Sequence, residues 1–185
     1  MIESAFLAGV LIGIGDVALV TCENRYVGAF LFAVALLSII KLKLPLYTGR
    51  IGRVVKDKTY IECISYLLFN IIGALFSAWW ILVNNYSGAC AVSEVKFSKT
   101  IPELIIAGVL CNVLIHIAVT VKNDLLTVLC VMTFILCGFE HCIADVPFII
   151  CSGKSGIEML LMLFAVVLGN TIGGLFTEAC IGDVV

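Results

Sequence analysis

Uncharged apolar runs dominate the chain. Residues 4–21 form one such run, interrupted only by Asp16, and residues 63–83, 104–121 and 159–177 form three more. Each approaches the roughly 20 apolar residues that a helix needs to cross a bilayer. Two further runs, residues 26–40 and 125–139, are too short alone for a full crossing. Both give way to a similar segment. The first runs into Lys41-Leu42-Lys43-Leu44-Pro45 and then Leu46-Tyr47-Thr48-Gly49. The second runs into Glu140-His141-Cys142-Ile143-Ala144-Asp145-Val146-Pro147. Each reads as a helix interrupted by charge and proline. Bare backbone at membrane depth is tolerated only where it is buried in protein or lines a wet cavity. The pattern therefore predicts an all-α membrane protein of six spans, with the second and fifth broken and both breaks facing inward.

Composition agrees. The 185 residues are 62% hydrophobic and 13% charged, with a mean hydropathy of +1.19. A soluble domain is about half apolar and about a quarter charged, so no water-soluble surface can be built here. The net charge of −2 says little when most of the surface faces lipid. No basic patch with interleaved aromatics occurs, which excludes nucleic acid as a partner. Of nine cysteines, Cys63, Cys111, Cys130, Cys137, Cys142 and Cys180 fall in or beside apolar stretches, where cysteine acts as a small hydrophobe. No CxxC pair occurs, so neither a metal nor a cofactor is expected. Met1-Ile2-Glu3 lacks the basic segment of a cleavable signal. Arg50, Arg53, Lys56 and Lys58 form the strongest basic cluster. That loop is expected to be cytoplasmic, and with six spans both termini then are too, in a cell (inner) membrane.

The two halves echo each other at an offset near 100 residues. Ala8-Gly9-Val10-Leu11 matches Ala107-Gly108-Val109-Leu110, and Asn70-Ile71-Ile72-Gly73-Ala74-Leu75-Phe76 matches Asn170-Thr171-Ile172-Gly173-Gly174-Leu175-Phe176. Pro45 sits 102 residues before Pro147. Three spans per half is an odd number, so two such units in tandem have opposite topology. The expectation is a single transmembrane domain over residues 1–185, with repeat one at about 1–90 and repeat two at about 98–185. Paired interrupted helices at matching positions point to a central transport site. Gly169, Gly173 and Gly174 read as a small-residue packing face.

These motifs resemble the formate/nitrite transporter family, which includes formate, nitrite and hydrosulfide channels. Gly138-Phe139-Glu140-His141-Cys142-Ile143-Ala144-Asp145 is similar to the family's GFEHSIAN stretch. Leu46-Tyr47-Thr48-Gly49 is similar to its Leu-Phe-Thr loop, and Gly169-Asn170-Thr171-Ile172-Gly173-Gly174 to its GNxIGG. The resemblance implies an aquaporin-like six-helix fold with a pore in each protomer, and a homopentamer. It implies that His141 is the central pore histidine, faced by Thr48, with Asn112 and Asn170 as polar pore residues and Lys96 at the mouth. Phe32, Leu36, Leu46, Tyr47, Ile115 and Phe134 would form two apolar constrictions. Asp145 for Asn, Tyr47 for Phe, and the charges of Lys41 and Lys43 depart from the family pattern.

Taken singly, His141 is an ionisable group inside a helix break, which is a functional hypothesis by default. His116, in an uninterrupted run, reads as a helix–helix contact. Glu140 points about 100° away from His141 on a helix and is expected to bind backbone groups freed by the break. Asp145 does likewise or pairs with Lys41 or Lys43; the sequence leaves both open. Lys96 and Lys99 read equally as interfacial lysines that snorkel. The function expected is a channel or transporter, not an enzyme, for small monovalent weak-acid anions, with proton coupling left open. The alternatives are a neutral-solute channel of aquaporin-like architecture, from which paired Asn-Pro-Ala turns are missing, and a membrane thiol redox protein.

Overall fold

The structure is a computed structural model that describes residues 2–182. Met1 and residues 183–185, on which the expected placement of the two chain ends bears, lie outside the described residues. Every regular element among them is helical. The long helices are α1 (Ile2–Thr21), α2 (Arg25–Lys41), α5 (Tyr60–Asn84), α7 (Ile101–Val121), α8 (Asp124–Leu136) and α10 (Gly156–Ile181). Short helices α3 (Tyr47–Arg50) and α4 (Val54–Asp57), with a 3-10 turn at Ile51–Arg53 between them, come after α2. Helix α6 (Tyr86–Phe97) comes after α5, and α9 (Val146–Ile150) after α8. Four helices, α1, α5, α7 and α10, are long and apolar enough to cross a membrane.

Local chemistry sets the helix ends. Asn24 caps α2 by accepting from the Tyr26 and Val27 amides, and Asn123 caps α8 through Leu126. Helices α7 and α10 open with reciprocal capping boxes, Thr100 with Glu103 and Ser155 with Glu158. Helices α2 and α8 end in the same way. In α2, Lys43 has φ 56°, its amide donates to Ile40 O, and the Leu44 amide donates to Ile39 O. In α8, Gly138 has φ 69°, its amide donates to Ile135 O, and the Phe139 amide donates to Phe134 O. Both are Schellman terminations, which place a left-handed residue just past the helix. Glycine fits that position freely; lysine is strained there.

The helices pack in matched pairs. Helix α1 lies on α5 and α7 lies on α10, while α2 packs on α8 and joins the two. Both pairs touch backbone to backbone. A Cβ on Gly73 would stand 2.1 Å from Phe6 O, and one on Gly173 would stand 2.3 Å from Val109 O. Only glycine admits such an approach. The closeness buries Ala8 and Ala74 in one pair and Cys111 in the other. Large apolar side chains instead point outward along α5, where Ile64, Leu68, Ile72, Phe76, Trp79 and Trp80 are exposed. Residues spaced by four share one helix face, so the stripe suits an apolar surround.

Gly73→Leu will destabilise the folded protein by more than the about 1–3 kcal/mol of ordinary overpacking, because the clash is with backbone. Gly156→Ala, at a site with nothing within 4 Å of the new Cβ, will leave it nearly unchanged. Lys43→Gly will raise stability by up to about 1 kcal/mol by relieving the left-handed strain. Thermal unfolding in detergent measures all three.

Candidate functional site

Two buried asparagines hold the non-helical segments after α2 and α8. Asn70 Oδ1 accepts from the Tyr47 amide at 2.8 Å, and its Nδ2 donates to Ala5 O at 2.7 Å and Pro45 O at 3.1 Å. Asn170 Oδ1 accepts from the Cys142 amide at 2.9 Å, and its Nδ2 donates to Gly108 O and Glu140 O, both at 2.9 Å. Each side chain therefore ties an irregular segment to a neighbouring long helix. Both N–H donors of Asn170 are engaged with backbone. Asn112 Nδ2 donates in turn to Asn170 O at 2.7 Å.

The segments so held bring Thr48 to His141. Thr48 Oγ1 and His141 Nε2 are 2.9 Å apart, and both residues are buried. His141 Nδ1 accepts from the Ala144 amide at 3.1 Å. A nitrogen that accepts carries no proton, so the neutral imidazole has its hydrogen on Nε2 and donates to Thr48. The Thr48 hydroxyl hydrogen is then left to donate elsewhere. Phe134 stacks on the imidazole with centroids 6.1 Å apart, and Phe32 meets Phe134 edge-on at 5.9 Å. Leu36, Leu46 and Ile115 are buried at 1–2% exposure in the same core. The Tyr47 hydroxyl bonds Thr171 Oγ1 at 2.8 Å, and Thr171 donates onward to Val167 O.

Two cavities flank this contact. The first, of about 470 Å³, reaches His141, Phe32 and Phe134 and is lined at its charged end by Asp16, Lys96 and Asp145. The second, of about 540 Å³, reaches Leu46 and Gly49 and carries Lys43, Arg50, Arg53 and Lys122 against Glu178. Neither Asn112 nor Asn170 is among the residues lining these two.

The charges are arranged differently from the sequence expectation. Lys96 donates to Glu140 Oε2 at 2.5 Å and to Asp145 Oδ1 at 2.6 Å, and lies 5.6 Å from the Phe148 ring centre. Lys99 donates to Glu140 Oε1 and to Gly138 O. Glu140 thus takes two ammonium groups, not freed backbone amides; Asn170 takes the backbone. The expected pairing of Asp145 with Lys41 or Lys43 does not form. Lys41 pairs with Asp124 at 2.6 Å on an exposed surface, where an ion pair contributes little, and Lys43 lies at the second cavity. A buried carboxylate draws the nearest flexible ammonium, and α6 and the turn after it bring Lys96 and Lys99 to the segment after α8. His116 does join two helices, with Nε2 2.9 Å from Glu178 Oε2 on α10. All nine cysteines are free thiols.

Sequence reasoning passed over Asn70 and Asp16 as site residues. Asn70 was legible as the repeat partner of Asn170. Asp16 was legible as a charge inside an otherwise apolar span, the kind of residue that marks an ion path.

A family model described as formate/nitrite transporter matches residues 1–181. No curated protein matches in sequence. Among solved structures, the fold is similar to a pentameric formate channel with formate bound, with TM-score 0.78 and 20% identity, over 98% of this chain and 93% of that one. It is also similar to an FNT family ion channel, with TM-score 0.85 and 23% identity, over 100% of this chain and 89% of that one.

Asn170→Ala will destabilise the protein by about 2–5 kcal/mol, since it strands the Cys142 amide and two carbonyls in a buried site. Asn70→Ala will act alike. A thermal-unfolding shift for either below that of a surface Asn84→Ala control would contradict this role.

Proposed function

The chain belongs to the formate/nitrite transporter family, and on that premise we propose that it passes small monovalent weak-acid anions across the membrane through a pore in each protomer. The observation that carries this reading is the Thr48–His141 contact, buried between two cavities and backed by Phe32 and Phe134. Helices α2 with α3, and α8 with α9, each complete one interrupted span, which makes six spans in an aquaporin-like bundle. The matched Schellman terminations, the matched asparagines and the glycine-to-backbone contacts support an inverted repeat over about residues 1–90 and 98–185. The basic second cavity opens to the cytoplasm, in keeping with the positive-inside rule, and α6 with Lys96 lies on the outer side. The likeness to a pentameric formate channel supports a homopentamer.

An anion entering an apolar ring loses its water, which costs many kcal/mol unless donors replace it. The two cavities meet it differently. Outside, Lys96 and Lys99 offset the acids of the vestibule; inside, Lys43, Arg50, Arg53 and Lys122 outnumber Glu178 and raise the local anion concentration. At mid-pore, the Nε2–H tautomer of His141 leaves the Thr48 hydroxyl free to donate to the anion. An imidazolium would turn a second N–H toward the Ala144 amide, two donors face to face. The geometry favours a neutral histidine that orients Thr48, with the anion crossing beside it or taking up a proton there. Formate, nitrite and hydrosulfide fit this chemistry equally.

The test is flux in proteoliposomes. His141→Phe and Thr48→Val will each lower formate flux at least about tenfold, which corresponds to roughly 1.4 kcal/mol of lost barrier stabilisation, while pentamers stay folded. Unchanged flux and pH profile in both would overturn the site. Swelling with glycerol but no anion flux would favour a neutral-solute channel.

A further inference from the structure

Asp16 lies in α1, 1% exposed, and both its carboxyl oxygens are buried without a hydrogen-bond partner. No other carboxyl group among the described residues has both oxygens so placed. It lines the first cavity, and its neighbour Gly15 packs on the Phe32 ring. It therefore stands beside the apolar ring, where an anion arriving from outside loses its last water.

The charged and titratable groups around it are already committed. From α6, Lys96 gives its ammonium to Glu140 and Asp145, and Lys99 beyond α6 gives its own to Glu140. From α2, Arg25 donates to Leu136 O. His141, across the cavity, is occupied by Thr48 and Ala144. Cys22, beyond the end of α1, also lines the cavity as a free thiol. From α5, Ser77 donates to Val10 O. With two ammonium groups against Glu140 and Asp145, the cluster is neutral without Asp16. An ionised Asp16 would be a lone buried charge with no donor, a far costlier state than the neutral acid. Asp145, which lines the same cavity and whose Oδ2 is also unpartnered, adds to that cost.

A neutral carboxylic acid has one O–H donor, and no protein acceptor takes it here. We propose that Asp16 carries a proton and presents it as a hydrogen bond to a small monoanion held near Lys96, and that loss of this proton closes the outer vestibule to anions. The proton stays on Asp16 throughout, so no group is consumed. An ionised Asp16 puts an unpaired negative charge beside the path, next to Phe32, and repels the anion there. The proposal rests on the anion-channel reading above.

Asp16→Asn keeps the shape and an N–H donor but cannot ionise. In proteoliposomes the readout is the ratio of D16N to wild-type formate flux as a function of pH. As pH rises, wild-type flux will fall below that of D16N, the ratio growing by about tenfold per pH unit once the proton is lost. A ratio that does not change with pH overturns the proposal, and so does a folded D16N pentamer that is inactive at every pH. Infrared spectroscopy reads the proton directly. The wild type will show the carbonyl stretch of a buried protonated carboxyl, shifted in D2O and absent in D16N; no such band overturns the proposal. If D16N does not assemble, Asp16→Glu, which moves the band, supplies the assignment. A wild type that conducts no monoanion would remove the channel reading while the infrared band still decides the state of Asp16.

Discussion

Backbone amides and carbonyls released where a helix stops have no water to turn to in an apolar surround, and each left alone costs several kcal/mol. This chain has two such places, after α2 and after α8. It meets the demand with one asparagine at each, Asn70 and Asn170. An amide side chain suits the task because it carries donors and an acceptor on one rigid plane. Both asparagines lie on helices packed by glycine-to-backbone contact. The glycines bring the helices close enough for the amides to reach. The close helix pairs, the irregular segments and the meeting of Thr48 with His141 thus form one dependent set.

Charge obeys the same logic of satisfaction. Glu140 and Asp145 are buried in the segment after α8; Lys96 on α6 reaches both, and Lys99 just beyond α6 reaches Glu140. The acids fix the lysines in the vestibule wall, and the lysines make the acids tolerable. Removing one partner of such a set leaves an uncompensated buried charge, which is worse than never having had the pair. Asp16 lies beside this balanced cluster without a counter-charge. That leaves it as the group whose proton can vary without breaking an ion pair.

The chemistry of the proposed pore is correspondingly spare. His141 is held by a backbone amide on one nitrogen and by Thr48 on the other, and aromatic rings cover it. Such a histidine is fixed in tautomer and orientation. On the proposed reading its contribution is to aim a hydroxyl, while the basic residues of the second cavity raise the local anion concentration.

Much was legible in the residues alone. Apolar run lengths marked the long helices, because a bilayer demands a set length. The charge and proline after each short run marked the two irregular segments, and the family resemblance of the stretch around His141 and of the Leu-Tyr-Thr turn implied that Thr48 faces His141. The echo at an offset near 100 paired Asn70 with Asn170 before any geometry was known. Partner choice was not legible. Asp145 had Lys41 and Lys43 as candidate partners by sequence, and only the placement of α6 beside the segment after α8 gave it to Lys96 instead, while Lys41 reaches Asp124 on the surface. Lys43, a candidate partner of Asp145, is a left-handed helix terminus at the second cavity. Side-chain pairing depends on distances of a few ångströms between segments far apart in the chain, and spacing along a sequence does not encode them. Run length, breaks and repeats are local properties that the sequence determined; which charge meets which, and which is left with none, was decided by the tertiary structure.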